Sequence, residues 1–173
     1  MSSRKIRWLC ETALMIALLV VLQFITKPLG QLFTGSCVNA VLSVAVLMIG
    51  LSGGICVALL SPFFAFLLGI GPQLFPITPA IAAGNTVLVL ILWLICRDGF
   101  ALPRRLAACL LASMAKFIVL YLLVVKLMCS VLPLADKQLA SFSAMFSWPQ
   151  LITALIGSGL ALIIVPRLKK LHK

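Results

Sequence analysis

Lys116 is the single charge in the apolar run between Ala107 and Val125. In a helix it would lie roughly 15 Å deeper than Lys126, at about 1.5 Å per residue. Leaving an ammonium at that depth in lipid costs at least about 2.5 kcal/mol, so Lys116 is expected to face a bundle interior or a watered cavity. A cation there suits a ligand bearing a carboxylate, a phosphate or several carbonyls. The plainer alternatives are snorkelling and hydrogen bonding to backbone carbonyls. Ser113, three residues earlier, shares the helix face of Lys116, so it is either a second ligand contact or the nucleophile of a serine–lysine enzyme.

Asn85 and Gln150 stand in two other apolar runs, at depths near that of Lys116. Each is a ligand contact or a hydrogen-bonding glue between helices. Phe146 and Trp148 precede Gln150 and offer rings for stacking, although aromatic residues are also ordinary at a membrane interface.

The chemistry that is missing narrows the function classes. Glu11, Asp98 and Asp136 are the only acids, and His172 is the only histidine. Metal-dependent proteolysis needs clustered ligands, and aspartyl proteolysis needs two intramembrane aspartates. Proton- and sodium-coupled carriers bury carboxylates along the ion path, and none lies mid-helix here. No G-x-x-x-x-G-K-[ST] loop is present, so any ATP-derived energy must come from a partner. No metal or cofactor is expected.

The elements that must position these residues follow from composition. Of 173 residues, 64% are hydrophobic and 10% charged, with a mean hydropathy of +1.26; soluble domains carry about 25% charged residues. The expected fold is all-α, a single membrane domain over 1–173 with six transmembrane helices at about 8–25, 38–49, 55–68, 80–95, 105–125 and 146–165. Pro62 predicts a kink in the third helix. Residues 69–79, with three prolines and no charge, predict a rigid apolar loop able to fold over a pocket. Residues 129–143 read as a second loop on the same side. The net charge of +11 is concentrated at helix ends. Arg4, Lys5 and Arg7, then Arg97, Arg104 and Arg105, then Arg167, Lys169, Lys170 and Lys173 place both termini in the cytoplasm by the positive-inside rule. The basic start and first apolar run lack a small-x-small cleavage pattern, so this segment reads as a retained helix. The six cysteines read as small packing residues, with a bridge between Cys37 and Cys129 left open.

Six helices, both termini inside, no energy source, a polar cluster in the outer half and the Ala13-Leu14-Met15-Ile16-Ala17 pattern together resemble the substrate-binding S component of an energy-coupling factor (ECF) transporter, of a subfamily with unassigned substrate. The resemblance covers nearly the whole chain. It implies that Ala13 and Ala17 dock on a transmembrane coupling protein that carries two cytoplasmic ATPases. It also implies a vitamin or related micronutrient bound near the outer surface, by residues 27–39 including Asn39, residues 69–79, Asn85, Lys116 and residues 146–150. The subunit would then topple in the bilayer to release its cargo. Two other classes stay open: a small oligomeric channel or carrier, which would conduct solute without ATP, and a membrane enzyme or scaffold, where loss of Ser113 would abolish an enzyme's activity.

Overall fold

The computed structural model describes residues 3–96 and 102–171, and every regular element among them is helical. Helix α1, Ser3–Thr26, passes through a 3-10 turn at Lys27–Leu29 into α2, Gln31–Ile49. Helix α3 is Leu51–Leu67, α4 is Ile77–Cys96 and α5 is Leu102–Leu120. The last continues as a π-helical stretch, Tyr121–Met128, and a final turn, Cys129–Val131. Helix α6 is Asp136–Met145 and α7 is Trp148–Leu171. Five segments are long and apolar enough to cross a membrane: Ser3–Leu29, Gln31–Ile49, Ile77–Cys96, Leu102–Val131 and Asp136–Lys170. The apolar α3, at 17 residues, is shorter, about 25 Å long. Arg97, Asp98 and Gly99, expected to end the fourth helix, and His172 and Lys173 of the basic tail lie outside the described residues.

Helix α2 is the hub, packed against α1, α3, α4 and α7. It begins well ahead of the expected Val38, because Gly35, which reads as a loop residue, is a packing site. A Cβ built on Gly35 would lie 3.0 Å from Thr153 Cγ2 of α7. Gly50 alone joins α2 to α3, at φ 98°, a conformation L side chains rarely adopt. Gly54 then lets α3 lie back on α2, since a Cβ there would come within 2.7 Å of Val46 Cβ. Helix α4 starts at Ile77 rather than near Ala80, because Pro79 falls in the first turn, where its missing N–H leaves no bond unmade.

Residues 129–143 depart from the expected loop by containing α6. A ten-residue helix is marginal alone. Two features hold it: the Gln138 side-chain oxygen accepts the Ala135 N–H at 3.3 Å, and Phe142 and Phe146 bury against Ile77, Leu120 and Val124. Only the tertiary fold supplies that apolar surface.

Six of the basic groups gather at one end of the bundle. Arg105, Lys169 and Lys170 line a cleft with Leu47 and Cys96, while Arg4, Lys5 and Arg7 stand beside Met48, Ile49 and Ser52, close to the Gly50 turn. All six cysteines, Cys37 and Cys129 included, are free thiols.

Candidate functional site

At the opposite end, α1, α2, α3, α4, α5 and α7 enclose a cavity of about 230 Å³. Lys116, Asn39, Asn85 and Ser61 lie deepest, while Gln23, Gln31, Gln150, Phe66 and Phe146 line its sides. The α3–α4 link crosses the mouth with Ile70, Gly71 and Pro72. Gly69 and Gly71 take φ of 65° and 76°, which tucks Ile70 inward. Phe75 meets the edges of Phe66 and Phe63 at ring separations of 5.5 and 6.2 Å, holding the link on α3. The rigid cover expected from the prolines is therefore fastened by aromatic contacts.

Lys116 is only 3% exposed. Its Nζ donates to Asn39 Oδ1 at 2.5 Å and to Asn85 Oδ1 at 2.7 Å. Both amides are held with their oxygens toward the ammonium because their nitrogens are engaged elsewhere. Asn39 Nδ2 donates to the Gly35 carbonyl at 2.9 Å and to Thr153 Oγ1 at 3.3 Å, and Thr153 in turn donates to the Gln150 carbonyl. Asn85 Nδ2 donates to Ser61 Oγ at 3.0 Å. Ser61 precedes Pro62, whose ring removes the N–H that would have bonded the Ala58 carbonyl. The Ser61 hydroxyl donates to that carbonyl at 3.3 Å. The proline expected to distort α3 thus sets up the serine that orients Asn85.

Hydrogen bonds to a charged group contribute about 1.5–3 kcal/mol each, so two amide oxygens offset much of the cost of burying the ammonium. Among the described residues no acidic group pairs with Lys116; the ion pair present is Arg7 with Glu11, at the basic end. An ammonium has three donors, and two are in use.

The structure brings Lys116, Asn85, Asn39 and Gln150 to one cavity, with Phe146. Trp148 stands apart, 63% exposed at the start of α7. Ser113 is fully buried one turn from Lys116, with its hydroxyl 3.5 Å from that of Ser158, and it neither lines the cavity nor bonds Lys116. Ala13 and Ala17 lie on the exposed face of α1 with Leu14 and Leu18, opposite the inward stripe of Thr12, Leu19, Gln23 and Thr26. Sequence reasoning passed over Gln23, Ser61 and Thr153, while Gln31 falls within the expected 27–39 stretch. The usable signal for Gln23 was a lone amide in an otherwise apolar stretch of α1; Ser61 and Thr153 carry no such mark, since hydroxyls are common in membrane helices.

A helical, multi-pass membrane protein whose bundle encloses a polar-floored cavity belongs to the class that binds small molecules within the membrane. The family model of the ECF transporter substrate-specific component matches residues 7–168, and the chain belongs to that family. Such components bind substrate rather than transform it, and they work with an energy-coupling module. Neither the curated proteins nor the solved structures gave a match.

Proposed function

We propose that this chain is the high-affinity binding subunit of an ATP-driven ECF-type importer, and that its cavity captures a vitamin or related micronutrient through a carboxylate, phosphate or carbonyl at Lys116. One observation carries the reading: a buried ammonium lies at the floor of an open-mouthed cavity, with neutral amide oxygens on two of its donors and no acid beside it among the described residues. An unpaired buried charge is costly, and a ligand anion both neutralises it and takes its third donor.

The rest of the reading follows from placement. The chain forms one membrane domain with six crossings, α3 spanning a locally thinned bilayer or one covered by its neighbours. The basic end is cytoplasmic by the positive-inside rule, so both termini are inside and the cavity opens outward. Ala13 and Ala17, exposed on α1, let the helices of a coupling protein approach closely, and that protein carries two cytoplasmic ATPases. Asn39, Asn85 and Gln150 line the ligand; Ser113 supports the floor from below.

Mass spectrometry of small molecules released from the detergent-purified protein tests the proposal. The expected finding is a neutral or anionic compound whose retention is lost in Lys116→Met. A cationic compound retained equally by Lys116→Met would refute the charge argument, and solute uptake by the chain without any ATPase would refute the importer.

A further inference from the structure

Among the described residues two charged side chains line the cavity, Lys116 and Lys27, and no acid does. Lys27 opens the 3-10 turn after α1, is exposed, and stands at the mouth with Gly71 and Pro72. Its Nζ donates to the Leu68 carbonyl at 3.4 Å, where α3 ends, and lies 3.6 Å from the place of a Cβ on Gly69. A cation beside the last carbonyls of a helix is favourable by itself. That one long bond still leaves two of the three ammonium donors without a partner among the described residues.

Helix α3 measures the distance between the two charges. Ser61 stands at the level of the floor, since its hydroxyl accepts from Asn85, whose oxygen accepts from Lys116. Leu68 is seven residues further on, about 10 Å along the helix at about 1.5 Å per residue. Pro62, Ala65 and Phe66 line the cavity between the two and give that span an apolar wall. The side built by α2 and α7 is neutral: Gln31 and Gln150 line it, and both donate to the Met145 carbonyl, at 2.6 and 3.1 Å. With one anionic group at Lys116, a second therefore has one cation left to meet.

We infer that the substrate carries two anionic groups, one held by Lys116 at the floor and the other by Lys27 at the mouth, joined by an apolar segment that lies along α3. The inference rests on the reading of this cavity as the substrate site. The two lysines differ in kind. Lys116 is buried, so salt screens its attraction little, whereas exposed Lys27 makes a rim pair that salt weakens.

The probes are glutarate, adipate and pimelate, each compared with its own monomethyl ester, which offers one carboxylate on the same chain. All are titrated near neutral pH, where the carboxylates are ionised, into the detergent-purified full chain by isothermal calorimetry. For the best-fitting length the diacid should bind the wild type about tenfold more tightly than its half-ester: about fivefold from an exposed ion pair, and about twofold because either end can enter. At about 1 M salt, where the Debye length is about 3 Å, most of the fivefold part should vanish. Lys27→Gln, which keeps a donor for the Leu68 carbonyl, and Lys27→Met should both weaken the diacid and leave only the statistical preference. A larger preference that survives both substitutions overturns the assignment of Lys27. A purely statistical preference in the wild type at every length overturns the dianionic substrate, and the Lys116 reading stands if the half-esters fail to bind Lys116→Met. Half-esters that bind wild type and Lys116→Met alike, or no binding by any of these compounds, overturn the site reading and this inference with it.

Discussion

The side chains of Lys116 and Asn39 are 77 positions apart in sequence and meet at 2.5 Å in the core of the bundle. Asn85 closes the other side of the ammonium at 2.7 Å. The charge is thus solvated by two neutral oxygens from α2 and α4, an arrangement that leaves its field uncancelled toward the cavity.

Replacing Lys116 with methionine should leave the protein folded at a lower melting temperature, because it removes a buried charge but leaves the Asn39 and Asn85 oxygens without their donor. Binding of the compound released from the wild type should weaken by about 2–5 kcal/mol, read by isothermal titration. Unchanged affinity would mean that the ligand does not use the ammonium.

Asn85→Asp should behave differently. A carboxylate at this position pairs with Lys116 and neutralises the floor, so the melting temperature of the empty protein should hold or rise while affinity for an anionic compound falls about 100-fold or more. Tighter anion binding by this variant would contradict the electrostatic account.

Gly157 and Gly159 give a paired test of the α2–α7 contact. A Cβ on Gly157 would lie 2.5 Å from Asn39 Cβ and 2.6 Å from backbone atoms of Ser36 and Ala40, whereas nothing lies within 4 Å of one on Gly159. Gly157→Ala should cost about 1–3 kcal/mol through overpacking and displace Asn39 from Lys116. Gly159→Ala should be neutral or stabilising by up to about 1 kcal/mol from helix propensity. Thermal unfolding in detergent separates the two.

Ala13→Trp and Ala17→Trp place bulk on the exposed face of α1, away from the cavity. Ligand binding by the purified subunit should persist, while uptake in cells that contain the coupling protein and ATPases should fall to background. Parallel loss of binding and uptake would move the effect from docking to folding.

Orientation can be read by labelling a variant without native cysteines using a membrane-impermeant maleimide. Ser141→Cys, on exposed α6 at the cavity end, should react in intact cells, and Ser3→Cys only after permeabilisation. The reverse pattern would invert the topology.

The sequence by itself determined the helical membrane class, because apolar runs of this length have few alternatives in lipid, and its resemblance to the family was matched by the family model over residues 7–168. It also singled out Lys116, Asn85 and Gln150, since polar groups in such runs are conspicuous. It could not reveal Asn39 as the second partner of Lys116. Helix α2 is buried on most sides and so has no clear periodicity, and its first turns hold Gly35, which reads as a loop until α7 is seen packing on it. Nor could it separate Phe146, which lines the cavity, from Trp148, which does not, as the turn before α7 sets their directions. The tertiary structure alone decided which way the two asparagine amides point. Each orientation depends on where its nitrogen donates, to Thr153 and Gly35 in one case and to Ser61 in the other. It also left the Gln23 side-chain oxygen buried without a partner, because that property belongs to the whole enclosure rather than to any local pattern.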